Sequence, residues 1–340
     1  MISAADSARA QELLRLINSS WIAQACYVTA RLEIADLLAQ GPRSAAELAA
    51  STRTHAPSLR RLLQALASID LCRERDDGRF ELTALGSLLR KDSPCSMRAW
   101  ALKWGGDDWL VWANLLHSIR TGESARTLIT GTPGFAHLDR DPQAAAIFNQ
   151  AMADLTRLTA VAVAQAYDFS GARVMDVGGG YGELLVHILA RYPTATGVIF
   201  DMDHAMEKAR AHLRASGLEG RCEFLSGDFF KEIPGGADVY AMKSIIHDWP
   251  DERARVILEN CRRALKPGAR LLVIERLMPA RMVPSADHEA LARSDLHMLV
   301  ALAAQERTRG AMEQLLRSAG FTALKHIDTG ADFHVIEARN

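Results

Sequence analysis

The chain is predicted to fold as a mostly helical domain followed by an α/β domain built on a parallel sheet, and two observations predict this. From Ala172 onward, short apolar runs alternate with amphipathic stretches, the pattern of strands joined by crossover helices. Before that point the apolar residues recur mostly at every third or fourth position, which is helical spacing. The 340 residues allow each domain its own core. The boundary is placed at 165/166, giving domains 1–165 and 166–340.

In the first domain, helical periodicity from Ala8 to about Leu89 breaks at Gly41-Pro42 and again between Thr52 and Ala56. The segment "SAAELAASTRTHAPSLRRLLQALASIDLCRERDDGRFELTALG" reads as a short helix, a turn, a second helix over 57–69 and two short strands around Asp76-Asp77-Gly78. That is a helix-turn-helix with a wing. A DNA-binding version would carry a cationic excess to track phosphates. The second helix has only Arg60 and Arg61, next to Asp70, and the wing "RERDDGR" is charge-balanced. A packing or dimerisation module is the better reading. Residues 97–165 are helical and rich in tryptophan, with a loop between Thr130 and Pro142.

In the second domain the strand candidates are "RVMDVG", "TGVIFD", "CEFLSGD", "ADVYAMK" and "RLLVIER", separated by helical stretches. After a helix capped by Thr308 and stopped at Gly320, "FTALKHID" and "FHVIEA" are joined by a short turn at Thr329-Gly330 and read as an antiparallel hairpin at the sheet edge.

Composition excludes several classes. A formal net charge of -1 gives no global attraction to nucleic acid or an anionic membrane. Five cysteines without a Cys-x-x-Cys or matching histidine spacing form neither a disulfide framework nor a zinc site. Charges interrupt the first 30 residues, unlike a signal peptide, and no segment reaches about 18 uncharged apolar residues. A cytoplasmic protein is expected.

"VMDVGGGYGELLVHIL" is a strand, a glycine turn and a helix, the usual place for a ligand in an open α/β sheet. Its pattern is Asp176-x-Gly178-x-Gly180-x-Gly182, and the last glycine of a dinucleotide fingerprint is replaced by Glu183. A glutamate there would face a pyrophosphate unfavourably, which disfavours a nicotinamide oxidoreductase. Asp201 ends the second strand, where a carboxylate accepts ribose hydroxyls. Asp228 and Phe229 end the third, suited to an adenine amino group and ring.

These residues resemble the class I S-adenosylmethionine-dependent methyltransferases, and the chain resembles the two-domain small-molecule O-methyltransferases of plants and bacteria. The resemblance is strongest from Val174 to Glu306. It implies a seven-stranded sheet with the last strand antiparallel, and a winged-helix-containing N-terminal domain that forms a homodimer and contributes to the substrate pocket. It further implies S-adenosylmethionine as cofactor, S-adenosylhomocysteine as its product, and no metal.

In "KSIIHDWPD", Asp248, Pro250 and Asp251 suit a helix start. His247 is left without a local task. The resemblance makes it the general base, supported by Glu275 and Glu306. It also places Lys243 at the cofactor and Phe148, Asn149, Met152, Asp248 and Met298 at a small hydroxylated aromatic substrate. A phenol with pKa near 10 is only about 0.1% ionised at pH 7, whereas an ordinary imidazole near 6.5 is mostly free base there. N-methylation, another reaction of a repurposed relative and a ligand-sensing DNA-binding regulator are the alternatives. Ala303-Ala304-Gln305 departs from plant relatives, which carry glycines there.

Overall fold

The computed structural model describes residues 2–340 and divides into two compact units, the first ending at Leu110 and the second running Val111–Asn340. The expected boundary at 165/166 lies elsewhere, inside the second unit. The reason is the helix Pro142–Ala166, whose Ala160, Val163 and Ala164 are buried in the core of the second unit.

The first unit contains helices α1 (Ala4–Asn18), α2 (Ser20–Arg31), α3 (Ile34–Leu38), α4 (Ala45–Thr52), α5 (Ala56–Ala67) and α6 (Arg98–Gly105). Its core joins Ile34, Leu48, Leu59, Leu63, Leu66 and Phe80. The helix-turn-helix and wing form as expected. Ser44 and Glu47 make a reciprocal capping box at the start of α4. Strands Cys72–Glu74 and Phe80–Leu82 then pair antiparallel across the turn. Arg60 is bound to Glu74 of the wing at 2.5 Å, so one of the two basic side chains of α5 is neutralised within the module.

Helix α7 (Asp107–Trp112) leads on to α8 (Leu115–Thr121), α9 (Ala125–Thr130) and α10 (Pro142–Ala166). The main sheet has strands β1 (Arg173–Val177), β2 (Thr196–Asp201), β3 (Cys222–Ser226), β4 (Val239–Lys243), β5 (Arg270–Glu275), β6 (Ala323–Asp328) and β7 (His334–Arg339). Between them lie α11 (Glu183–Arg191), α12 (Asp203–Ala215), α13 (Asp251–Ala264), α14 (Ala286–Leu302) and α15 (Arg309–Ser318). The spatial order is β6-β7-β5-β4-β1-β2-β3, with β7 antiparallel to both its neighbours. The hairpin is therefore confirmed, but its second strand is inserted between β5 and β6, leaving β6 at the edge.

Both faces of the sheet are covered, which is why β1, β4 and β5 read as nearly continuous apolar runs. One face, with Met175, Tyr240 and Val273, packs on α13 and α15; the other, with Val174, Ile199 and Leu272, packs on α10, α11 and α12. The chain reverses its winding direction at β1, which lies between β2 and β4. Ligands bind at such a switch point, beyond the carboxyl ends of the strands. No helix among the described residues is long and apolar enough to cross a membrane.

Candidate active site

The loops after β1 and β4 meet at this switch point. Gly178 has φ of +72°, and a Cβ there would stand 2.4 Å from Ile245 Cδ1. Only glycine permits both this backbone and this approach. Gly180 is also left-handed (φ +54°), yet nothing lies within 4 Å of the position its Cβ would take. The loop is thus packed on one side and open on the other.

Asp176 lies beneath the loop, 3% exposed, where a Cβ on Gly179 would come within 2.8 Å of its Cγ. Burial, and secondarily Asp201, push its carboxyl up to about 7, with Lys243 opposing. Lys243 at the end of β4 is in turn pushed down to about 8 by burial and Arg276. Its Nζ donates to Ser244 Oγ at 3.1 Å and sits 4.6 Å from the centre of the Phe333 ring.

Asp201 accepts from the N–H of Gly180 at 2.7 Å through Oδ2 and from that of Met202 at 2.6 Å through Oδ1. Each carboxylate oxygen keeps a further lone pair for a hydroxyl. Asp228 Oδ1 accepts from Phe230 N–H at 2.9 Å. Phe229 lies edge-on to Phe230 and to Trp249, with centroids 5.0 and 6.2 Å away. Acceptors for hydroxyl and amino groups, an aromatic face and an open glycine loop at three consecutive strand ends fit S-adenosylmethionine.

Glu183, at the start of α11, is engaged by protein cations: its carboxylate takes Arg157 Nε and Nη2 of α10 at 2.9 and 3.2 Å, with His187 at 3.2 Å and His212 at 2.7 Å. Burial opposes its charge, but these partners outweigh burial and hold it well below the carboxylate range.

His247 sits on a single 3-10 turn, Ile246–Asp248, entered through Ser244 in a left-handed conformation (φ +55°). Glu275 Oε1 accepts the N–H groups of Ile245, Ile246 and His247 at 3.1, 2.9 and 3.2 Å. Glu306 Oε1 lies 3.0 Å from His247 Nδ1 and accepts from Ser294 Oγ at 2.7 Å. A carboxylate at Nδ1 places the ring proton there, so in the neutral ring Nε2 carries the lone pair. Asp248 Oδ1 is 3.4 Å from Nε2 and Glu275 Oε2 is 3.7 Å from Nδ1.

Burial works against a charged imidazole, yet Glu275, Glu306 and Asp248 prevail and push it up to about 10. The expectation of a mostly neutral histidine at pH 7 is therefore corrected: three carboxylates around one ring hold its proton. Burial raises the Glu275 carboxyl; for Glu306 the imidazolium and Ser294 overcome burial and lower it. Ligand atoms of His247, Glu275 and Glu306 lie within 4.8 Å of one another, spacing that would also suit a metal ion. Both Oε1 atoms already accept protein hydrogen-bond donors.

The family model for the O-methyltransferase domain matches residues 112–322, and that for the O-methyltransferase dimerisation domain matches 14–92. The chain belongs to this O-methyltransferase family. It is similar to the phenazine O-methyltransferase of Lysobacter antibioticus, 41% identical over 96% of this chain and 95% of that protein. It is also similar to human N-acetylserotonin methyltransferase, solved with S-adenosylmethionine: TM-score 0.90, 30% identity, covering 100% of this chain and 99% of that one. The 8-amino-8-demethylriboflavin N,N-dimethyltransferase of Streptomyces davaonensis is 35% identical over 97% of this chain and 95% of its own length. The family thus includes a member named for transfer to nitrogen.

The O-methyltransferase carries the predicted substrate residues in its second unit. Phe148, Asn149 and Met152 share α10 and are half-buried; Met298 is buried on α14, one turn beyond Ser294. Phe148 packs 5.4 Å from Phe135, whose ring lies 6.1 Å from Trp249. Phe135 and Trp249 escaped the sequence reading because isolated aromatics look like core. Ser294 and Arg307 escaped it as well, although Arg307 is adjacent to Glu306. Ala303 closes α14 in a left-handed conformation (φ +53°), a position glycine fills without strain.

Proposed function

We propose that this O-methyltransferase transfers a methyl group to a phenolic hydroxyl of a flat aromatic metabolite, with His247 as general base. The observation that carries the reading is Glu306 on Nδ1, which makes Nε2 the proton-accepting nitrogen once the ring has given up one proton. Bound S-adenosylmethionine supplies an electrophilic methyl on a sulfonium, already activated. Asp176, Gly178, Gly180, Asp201, Asp228, Phe229 and Lys243 would hold it. The remaining task of the chain is to take a proton from the acceptor and align its oxygen. Phe135, Phe148 and Trp249 offer aromatic faces, and Met152 and Met298 offer polarizable contacts to a flat ring. The trio around His247 is read as a proton-holding site without a metal.

The elevated imidazole suits this acceptor. A phenol with pKa near 10 and an imidazolium at about 10 share a proton almost evenly, so the hydroxyl gains nucleophilic character at little cost once one proton leaves the pair. The rate should therefore climb about tenfold per pH unit through neutrality and level off towards about 10. Glu306→Gln removes a negative charge that stabilises the imidazolium, so the break should move to lower pH. A break that stayed in place in steady-state pH profiles would show that Glu306 does not set it.

We also read the first unit as the homodimer-forming part of a cytoplasmic enzyme. Its support is the dimerisation match over 14–92 and the exposed Leu13, Leu14, Leu16, Ile17 and Trp21 of α1 and α2. A mass-spectrometric screen of hydroxylated flat aromatics with S-adenosylmethionine tests the activity. A gain of one methylene unit on at least one phenol is expected. Gains confined to amines would move the assignment to nitrogen.

A further inference from the structure

We infer that Arg307 is a positioning residue for the transfer step, clamping the carbonyl side of the turn that carries His247. The inference rests on His247 as the base. A single 3-10 turn has too few internal hydrogen bonds to fix a side chain, so its orientation comes from outside. Glu275 Oε1 gathers the N–H groups of the turn. Arg307 gathers the opposite side: Nη1 donates to Ile246 O at 2.8 Å, and Nη2 to Trp249 O at 2.7 Å. Nε and Nη2 also reach Asp251 Oδ1, at 2.9 and 2.7 Å.

The guanidinium is buried, 3% exposed. Its planar fork therefore fixes the main chain before His247, the main chain after it and the first residue of α13 relative to one another. A lysine ammonium, with three donors around one point, does not reproduce that fork. Arg307 also follows Glu306, which holds the ring. The two-residue strands Leu277–Met278 and Arg307–Thr308 pair in parallel, with Leu277 opposite Arg307. This short ladder ties the segment just after Glu275 to the segment that carries Glu306 and Arg307, so all three supports of His247 belong to one assembly.

The test compares Arg307→Lys, Arg307→Ala, Asp251→Asn and His247→Ala by turnover at saturating cofactor, calorimetric S-adenosylmethionine affinity and the pH profile. Arg307→Lys should lower kcat about 10- to 100-fold, the scale of a misplaced catalytic group, while changing cofactor affinity less than about threefold. Its pH break should move down, because a loosened turn carries the imidazole away from Glu275 and Glu306, with Asp248 moving alongside it and Arg276 and Lys243 remaining nearby. Asp251→Asn, whose side chain is 62% exposed, should act in the same direction but less. Guanidinium ion added to Arg307→Ala should restore part of kcat. Arg307→Lys with wild-type kcat and pH break would overturn the inference. So would losses that track melting temperature and cofactor affinity, without a pH shift or guanidinium rescue. A fully active His247→Ala would overturn the base assignment itself, and this inference with it.

Discussion

His247→Ala is expected to lower turnover of a phenolic acceptor by about 100-fold or more while leaving S-adenosylmethionine affinity nearly unchanged. The methyl donor needs no proton removed, so the loss falls on the acceptor side alone. Asp248 Oδ1 stands 3.4 Å from Nε2, beside the imidazole whose place it would have to take. The substitution also leaves Glu275 and Glu306 facing each other in a buried site, where two carboxylates together retain a proton. A companion His247→Gln keeps the volume and one hydrogen bond, and should lose turnover similarly. Calorimetric cofactor binding verifies that each variant is folded. Full activity at neutral pH in both variants would remove His247 from the chemistry.

Asp201→Ala is expected to do the reverse, weakening S-adenosylmethionine binding by about 10- to 100-fold. That range corresponds to losing hydrogen bonds to a charged acceptor, about 1.5–3 kcal/mol. The carboxylate has two tasks here. It holds the glycine loop through Gly180 N–H and its own turn through Met202 N–H, and in the proposed cofactor site its remaining lone pairs would accept ribose hydroxyls. Asp201→Asn retains one accepting oxygen and should fall between wild type and alanine. At saturating cofactor, kcat should largely recover, because the acceptor and His247 are untouched. Cofactor affinity unchanged in the alanine variant would place the ribose elsewhere.

The sheet was legible because parallel strands buried on both faces must be largely apolar, and Leu271 to Ile274 are wholly so, as are Val174, Met175 and Val177 on either side of Asp176. The strand ends carrying Gly178, Asp201, Asp228 and His247 followed from that alternation. The unit boundary was not legible, since the apolar stripe of α10 does not reveal which partner covers it; Ala160, Val163 and Ala164 turned out to belong with α11. The direction of Glu183 depended on Arg157, a full helix away in the chain. The state of His247 depended on three carboxylates, two of them distant in sequence and each useful as a charge only because burial keeps water from screening it. Arg307 was invisible for a related reason: its partners are two backbone carbonyls and one carboxylate of the turn and the helix after it, and backbone groups leave no mark in a sequence.

The most direct test of the central claim uses a matched pair of flat aromatic acceptors, one bearing a hydroxyl and the other an amine at the same ring position. Each is followed by mass spectrometry in single turnovers with wild type and His247→Ala. The hydroxyl compound should gain one methylene unit with wild type and lose most of that rate in the variant. The amine, whose nitrogen already offers a lone pair, should show no comparable dependence on His247. Methylation of the hydroxyl at equal rates by both proteins would contradict the account.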